Sequence, residues 1–189
     1  MPSLKEITWS LYGCYKLALR DKDALSFFNF SASGFWSSFA AMVLGLLVTI
    51  LQKSLEYKIA HTNVGLIQFV ALIVSALAVS WIFYLIAVSI ISKYMGFSQH
   101  IGGFIIVYNW SQLALTGIWV ILSILTLGLF GPTALGIIGL LFIGLSYTYL
   151  WYILVVTLKV SPMVAVGLSV LEFAISVLIQ QTAINAFLA

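Results

Sequence analysis

Between residues 34 and 183 the chain alternates long apolar runs with short polar breaks. Five runs stand out, at 34–52, 64–92, 101–127, 133–158 and 162–183. Each is long enough to carry a helix through a bilayer core about 30 Å thick. The breaks hold turn and cap residues. Ser33 stands before the first run, Phe130-Gly131-Pro132-Thr133 reads as a tight turn with Pro132 in the first helical position, and Ser161 caps a last run that opens on Pro162. Ahead of the first run, 3–20 carries Leu4, Ile7, Leu11, Cys14, Tyr15 and Ala18 at helical spacing, with Ser3 and Glu6 spaced as a capping box. The pattern predicts an all-α polytopic membrane protein in two parts. Residues 1–33 form an amphipathic N-terminal segment, and 34–189 form a five-helix transmembrane bundle.

Polar residues inside the runs recur on faces. Ser38, Ala41, Gly45 and Thr49 give the first run a small face for close packing, and Gln68, Ala71, Ser75 and Ala78 give the second another. In the third, Asn109, Gln112, Thr116 and Ser123 form a polar stripe. In the last, Ala165, Ser169, Glu172, Ser176 and Gln180 share a face, and Val170, Leu171, Phe173, Ile175 and Leu178 cover most of the rest. Glu172 is the only acidic residue in any of the five runs. Ten residues past Pro162 it lies at ~15 Å depth, where a charge costs at least ~3 kcal/mol unless it faces protein or water. Depth matching brings Gln112, Tyr147 to Tyr149, and Ser80 to Tyr84 to the same level. The carboxyl is expected to donate to Gln112 or Thr148 and tie the bundle together. The candidate intramembrane site is therefore Glu172, Ser169, Ser176, Asn109, Gln112 and Thr148.

Composition narrows the function classes. The chain is 63% hydrophobic and 7% charged, with mean hydropathy +1.17. Soluble domains carry roughly 25% charged residues, so none of ordinary size fits beside the spans. The net charge of +3 comes from scattered basic residues, not a patch for nucleic acid. One cysteine, Cys14, excludes an intrachain disulfide, and no removable signal peptide is read at the N-terminus. Lys5, Lys16, Arg20, Lys22, Lys93 and Lys159 fall on one side of the spans and Lys53 and Lys58 on the other. That bias puts the N-terminus in the cytoplasm and the C-terminus outside. It also separates His61 from His100 by a bilayer, and Glu172 from both, so no metal, no cofactor and no catalytic relay is expected. In the N-terminal segment Trp9, Tyr12, Lys16 and Arg20 suit contact with the membrane surface. Docking on the cytoplasmic helix ends fits the same pattern.

Ser10-Leu11-Tyr12-Gly13 is similar to the Asp-Leu-Tyr-Gly-Pro motif of the Yip (Ypt/Rab-interacting) domain family, with Ser10 in the Asp position and Cys14 in the Pro position. Five spans, short loops, the run Tyr108-Asn109-Trp110 and an acidic residue in the last span also resemble bacterial-type members. The resemblance implies a non-enzymatic protein of a bacterial inner membrane that works through membrane lipids and a protein partner or second copy, as a membrane organiser or an accessory subunit of a membrane complex. That reading expects a dry bundle. A second reading, a small transporter or channel using Glu172 as a proton or cation site, expects a wet cavity reaching Glu172.

Overall fold

The computed structural model describes residues 2–57 and 65–188, and every regular element among them is helical. Helix α1 runs Leu4–Ala18, α2 Ala32–Glu56, α3 Leu66–Met95, α4 Ile101–Leu158 and α5 Pro162–Leu188, with 3-10 turns at Ala24–Phe27 and Ser98–His100. α2, α3, α4 and α5 are long and apolar enough to cross a membrane. His61 and Lys58 lie outside the described residues.

α4 is too long to be one rod. Straight, its 58 residues would extend about 87 Å. At Gly131, φ 79 and ψ −177 place the backbone in a region essentially reserved for glycine, and Pro132 follows. The chain reverses there. Ser111 Oγ meets the Tyr149 hydroxyl at 3.2 Å, and the Trp119 and Phe142 rings pack with centroids 5.2 Å apart. Both pairs straddle Gly131 almost evenly, so α4 is an antiparallel hairpin with arms 101–130 and 132–158. α2 and α5 each pack against α3 and α4, and among the described residues they do not meet each other. The four elements thus ring a central space.

On the inner wall, Ser38, Ala41 and Thr49 are buried and Gly45 lies beneath the Trp81 ring, so the small face of α2 packs inward as its spacing predicts. α3 departs from its expected face. Gln68, Ala71 and Ser75 point outward, and Ala76, Ser80, Trp81, Tyr84, Leu85 and Val88 are buried instead. Bulk decides here: Trp81, Tyr84, Phe104 and Tyr108 interlock with ring centroids 5.3 to 6.2 Å apart and fill the gap between α3 and α4. The α2 cap is Ser31, not Ser33; its Oγ accepts from the Gly34 amide at 3.1 Å.

α1 starts as predicted, with Ser3 Oγ accepting from the Glu6 amide at 3.1 Å. Its buried face is rotated from the expected stripe. Ser10, Gly13, Cys14 and Leu17 are buried, and Leu4, Tyr15 and Ala18 are exposed. Gly13 sets the rotation, because a Cβ there would come within 2.7 Å of the Phe28 ring. The Glu6 carboxylate accepts from Ser37 and from Asn29 and pins α1 to the start of α2, where a capping box would turn it back to Ser3. The Cys14 carbonyl accepts from the Tyr149 hydroxyl at 3.0 Å, and Cys14 Sγ lies 3.6 Å from Ser111 Oγ. Ser111 is ten residues into α4, so α1 docks on the flank of the hairpin, about 15 Å from its open end.

Candidate functional site

The phase of α5 is set at its first turn. The Val164 amide donates to Ser161 Oγ at 3.4 Å, and Trp151 Nε1 donates to the Pro162 carbonyl at 3.1 Å, fixing α5 to the second arm of α4. Ten residues on, this phase directs Glu172 to Tyr147. The Tyr147 hydroxyl donates to one carboxylate oxygen, and Ser176 Oγ, one turn along α5, donates to the other at 3.2 Å. The expected partners were Gln112 and Thr148. Thr148 instead turns its Oγ1 to the Gly144 carbonyl at 2.9 Å and is exposed. Depth matching selects a level but not a direction, and successive helical residues point about 100° apart. Thr148 and Ser169 border a separate groove with Trp151 and Phe173, and Ser169 Oγ bonds the Ala165 carbonyl at 2.9 Å.

Glu172 lines a cavity of about 480 Å³ in the centre of the ring. α2 contributes Thr49, Gln52 and Lys53; α3 contributes Ile73 and Leu77; the arms of α4 contribute Gln112, Thr116 and Trp119, then Phe142, Ser146 and Tyr147; α5 adds Gln180. Gln52 Nε2 donates to Ser123 Oγ at 3.5 Å, joining the end of α2 to the first arm. Ser123 is twelve residues beyond Ser111, which puts Lys53 about 15 Å along the bundle from the Tyr147–Glu172 pair. Among the described residues the Tyr84 hydroxyl and Ser146 Oγ are buried with no hydrogen-bond partner, an arrangement that costs ~1–3 kcal/mol per group until water or a ligand meets it.

Asn109 is placed elsewhere. Fully buried, it joins three helices: Oδ1 accepts from Trp81 Nε1 at 3.1 Å, and Nδ2 donates to Ser38 Oγ at 3.0 Å. The polar stripe of the first arm therefore divides, Asn109 and Ser123 tying helices together while Gln112 and Thr116 face the cavity. Gln52, the last residue of the first run, and Lys53, placed in the loop after it, were not among the candidates. The signal that finds them is the small face itself, since Gly45, Thr49 and Gln52 continue its three- and four-residue spacing on a helix that runs to Glu56.

The surface candidates of α1 form a second group. Trp9 stacks on Phe27 with centroids 5.4 Å apart, Tyr12 meets Phe27 edge-on at 4.9 Å, and both are nearly half exposed. Arg20 lies over the Tyr152 ring at 5.6 Å. Lys16 pairs with Asp21 at 2.7 Å, and this hydrogen bond holds the Asp21 carboxyl below its ordinary range and lifts the Lys16 ammonium above its own. Burial pushes the Cys14 thiol up to about 12. Among the described residues no group of three or more His, Cys, Asp or Glu side chains gathers to hold a metal. Comparison of the chain with family models, with curated proteins and with solved structures finds no match.

Proposed function

We propose that this chain is a five-span integral membrane protein whose central cavity admits a small solute to Glu172, as a small transporter or solute-binding protein. One observation carries the reading: a cavity walled by α2, α3, α4 and α5 has on its wall the one acidic side chain of the predicted spans. A bundle held together for assembly alone is expected to pack its interior to near-crystalline density, with no room for a solute. Intramembrane carboxylates that face a cavity mark solute or ion pathways. The reversal at Gly131 supports five spans, because each arm of α4 is longer than the ~30 Å bilayer core. The bias of basic residues supports a cytoplasmic N-terminus.

Cysteine reactivity tests both parts. In a Cys14→Ser background, Thr116→Cys is expected to react with a membrane-impermeant, water-soluble thiol reagent, and Ser98→Cys is expected to react only when the cytoplasmic face is open to it. A Thr116→Cys variant that stays inert while folded would mean a dry bundle. Labelling of Ser98→Cys from outside intact cells would invert the topology.

The partner-binding reading, in line with the Yip resemblance, draws on a different observation. Trp9, Tyr12, Tyr15 and Leu19 of α1 and its exit face away from the bundle and are exposed. As a membrane-surface or partner contact, this face predicts that Trp9→Ala with Tyr15→Ala loses a co-purifying partner or lipid and leaves the Thr116→Cys reaction unchanged. Unchanged co-purification would set that reading aside.

A further inference from the structure

We propose that the solute of the central cavity is an organic ammonium cation with an apolar body; this rests on the cavity reading above. Three features converge. Glu172 supplies a carboxylate already oriented by Tyr147 and Ser176, so an arriving cation meets a fixed negative end with little to reorganise. Trp119, Phe142 and Tyr147 line the same wall, and aromatic faces attract cations most strongly where water is scarce. Ser146 Oγ on that wall is buried without a partner among the described residues, and its lone pairs can meet the cationic head or the water it brings.

Size and the remaining lining select among cations. A volume of about 480 Å³ falls within the range of small-molecule sites, far beyond the need of a bare metal ion. Ile73, Leu77 and Ile143 add apolar wall that a hydrated inorganic ion leaves unused and a hydrocarbon substituent fills. An anion is disfavoured at the Glu172 end by the carboxylate itself.

The test follows protection of Thr116→Cys from the impermeant thiol reagent, in the full-length Cys14→Ser protein in detergent. The probe is benzyltrimethylammonium, with its uncharged carbon isostere neopentylbenzene and the anion benzenesulfonate as comparisons. Benzyltrimethylammonium is expected to slow labelling saturably, and the other two are not. Glu172→Gln is expected to keep the labelling rate without probe and weaken protection by more than about tenfold, with Trp119→Leu weakening it roughly tenfold. Labelling that no concentration of the ammonium slows would overturn the ligand class and leave the cavity standing. No labelling at all would remove the cavity reading and this one with it. Equal protection by the neutral isostere, or full protection in Glu172→Gln, would show that shape and not charge is read, against the proposal.

Discussion

Trp81 and Asn109, 28 residues apart in sequence, are joined by a hydrogen bond from the indole nitrogen to the carboxamide oxygen at 3.1 Å. The same carboxamide donates to Ser38, so one side chain holds α2, α3 and α4 in register. Asn109→Ala is expected to lower stability by ~1–2 kcal/mol, because it strands the Trp81 N–H in a buried site. Trp81→Phe removes that donor along with some packing. The double variant is therefore expected to be less destabilised than the sum of the singles, by about 0.6 kcal/mol or more. Thermal melts of the four proteins in one detergent decide it, and strict additivity would show that the bond contributes nothing.

The reversal at Gly131 gives a sharper expectation. At φ 79 and ψ −177 an added methyl group strains the backbone even though no neighbouring atom crowds the site. Gly131→Ala is expected to cost ~1–3 kcal/mol, and Gly128→Ala, in a helical turn just before it, much less. Equal melting of the two variants would argue for a straight α4 with no hairpin.

Cys14 supplies a pH prediction. With its thiol pushed up to about 12 by burial, roughly one molecule in ten thousand is a thiolate at pH 8. Maleimide is expected to leave folded protein unmodified and to label it fully after denaturation. The folded value is raised, so the stability carried by the neutral thiol is whole below about pH 9 and lost as pH climbs toward 12. Cys14→Ser is expected to flatten that part of the stability profile. Rapid labelling of native protein would mean that α1 leaves the hairpin flank in solution.

Periodicity made the helices legible, along with the inward faces of α2 and of the first arm of α4, because small and polar residues at three- and four-residue spacing have one place to go in a packed apolar bundle. It failed for α3 and α1. On α3 Gln68, Ala71 and Ser75 form a tidy stripe, yet the bulky Trp81 and Tyr84 on another face are the side chains that bury, and the stripe is left exposed. On α1 the close approach of Phe28 to Gly13 rotates the helix, a contact between turns that no spacing encodes. At the candidate site the level of Glu172 was legible and its partner was not. Tyr147 and Thr148 stand at almost the same depth, and contacts between the second arm and α5, such as the tether of Trp151 to the Pro162 carbonyl and the packing of Tyr147 on Phe173, decide which of them faces α5.

The Glu172–Tyr147 bond separates a structural tie from a working site. Gln in place of Glu keeps an oxygen to accept from Tyr147 and an amide beside Ser176, so Glu172→Gln is expected to melt within ~0.5 kcal/mol of the parent. Glu172→Leu leaves both hydroxyls without an acceptor and is expected to cost ~1–2 kcal/mol. Tyr147→Phe removes the donor alone. If the pair acts as a tie, Tyr147→Phe with Glu172→Leu is expected to show a coupling of about 0.6 kcal/mol, at most ~1.7, the range found for hydrogen bonds between membrane helices. Additive losses would mean that the carboxylate is not retained for stability. A Gln variant that melts with the parent but no longer holds the ammonium would place the role of Glu172 in the cavity. A Gln variant that unfolds with the Leu variant would make the charge itself part of the fold.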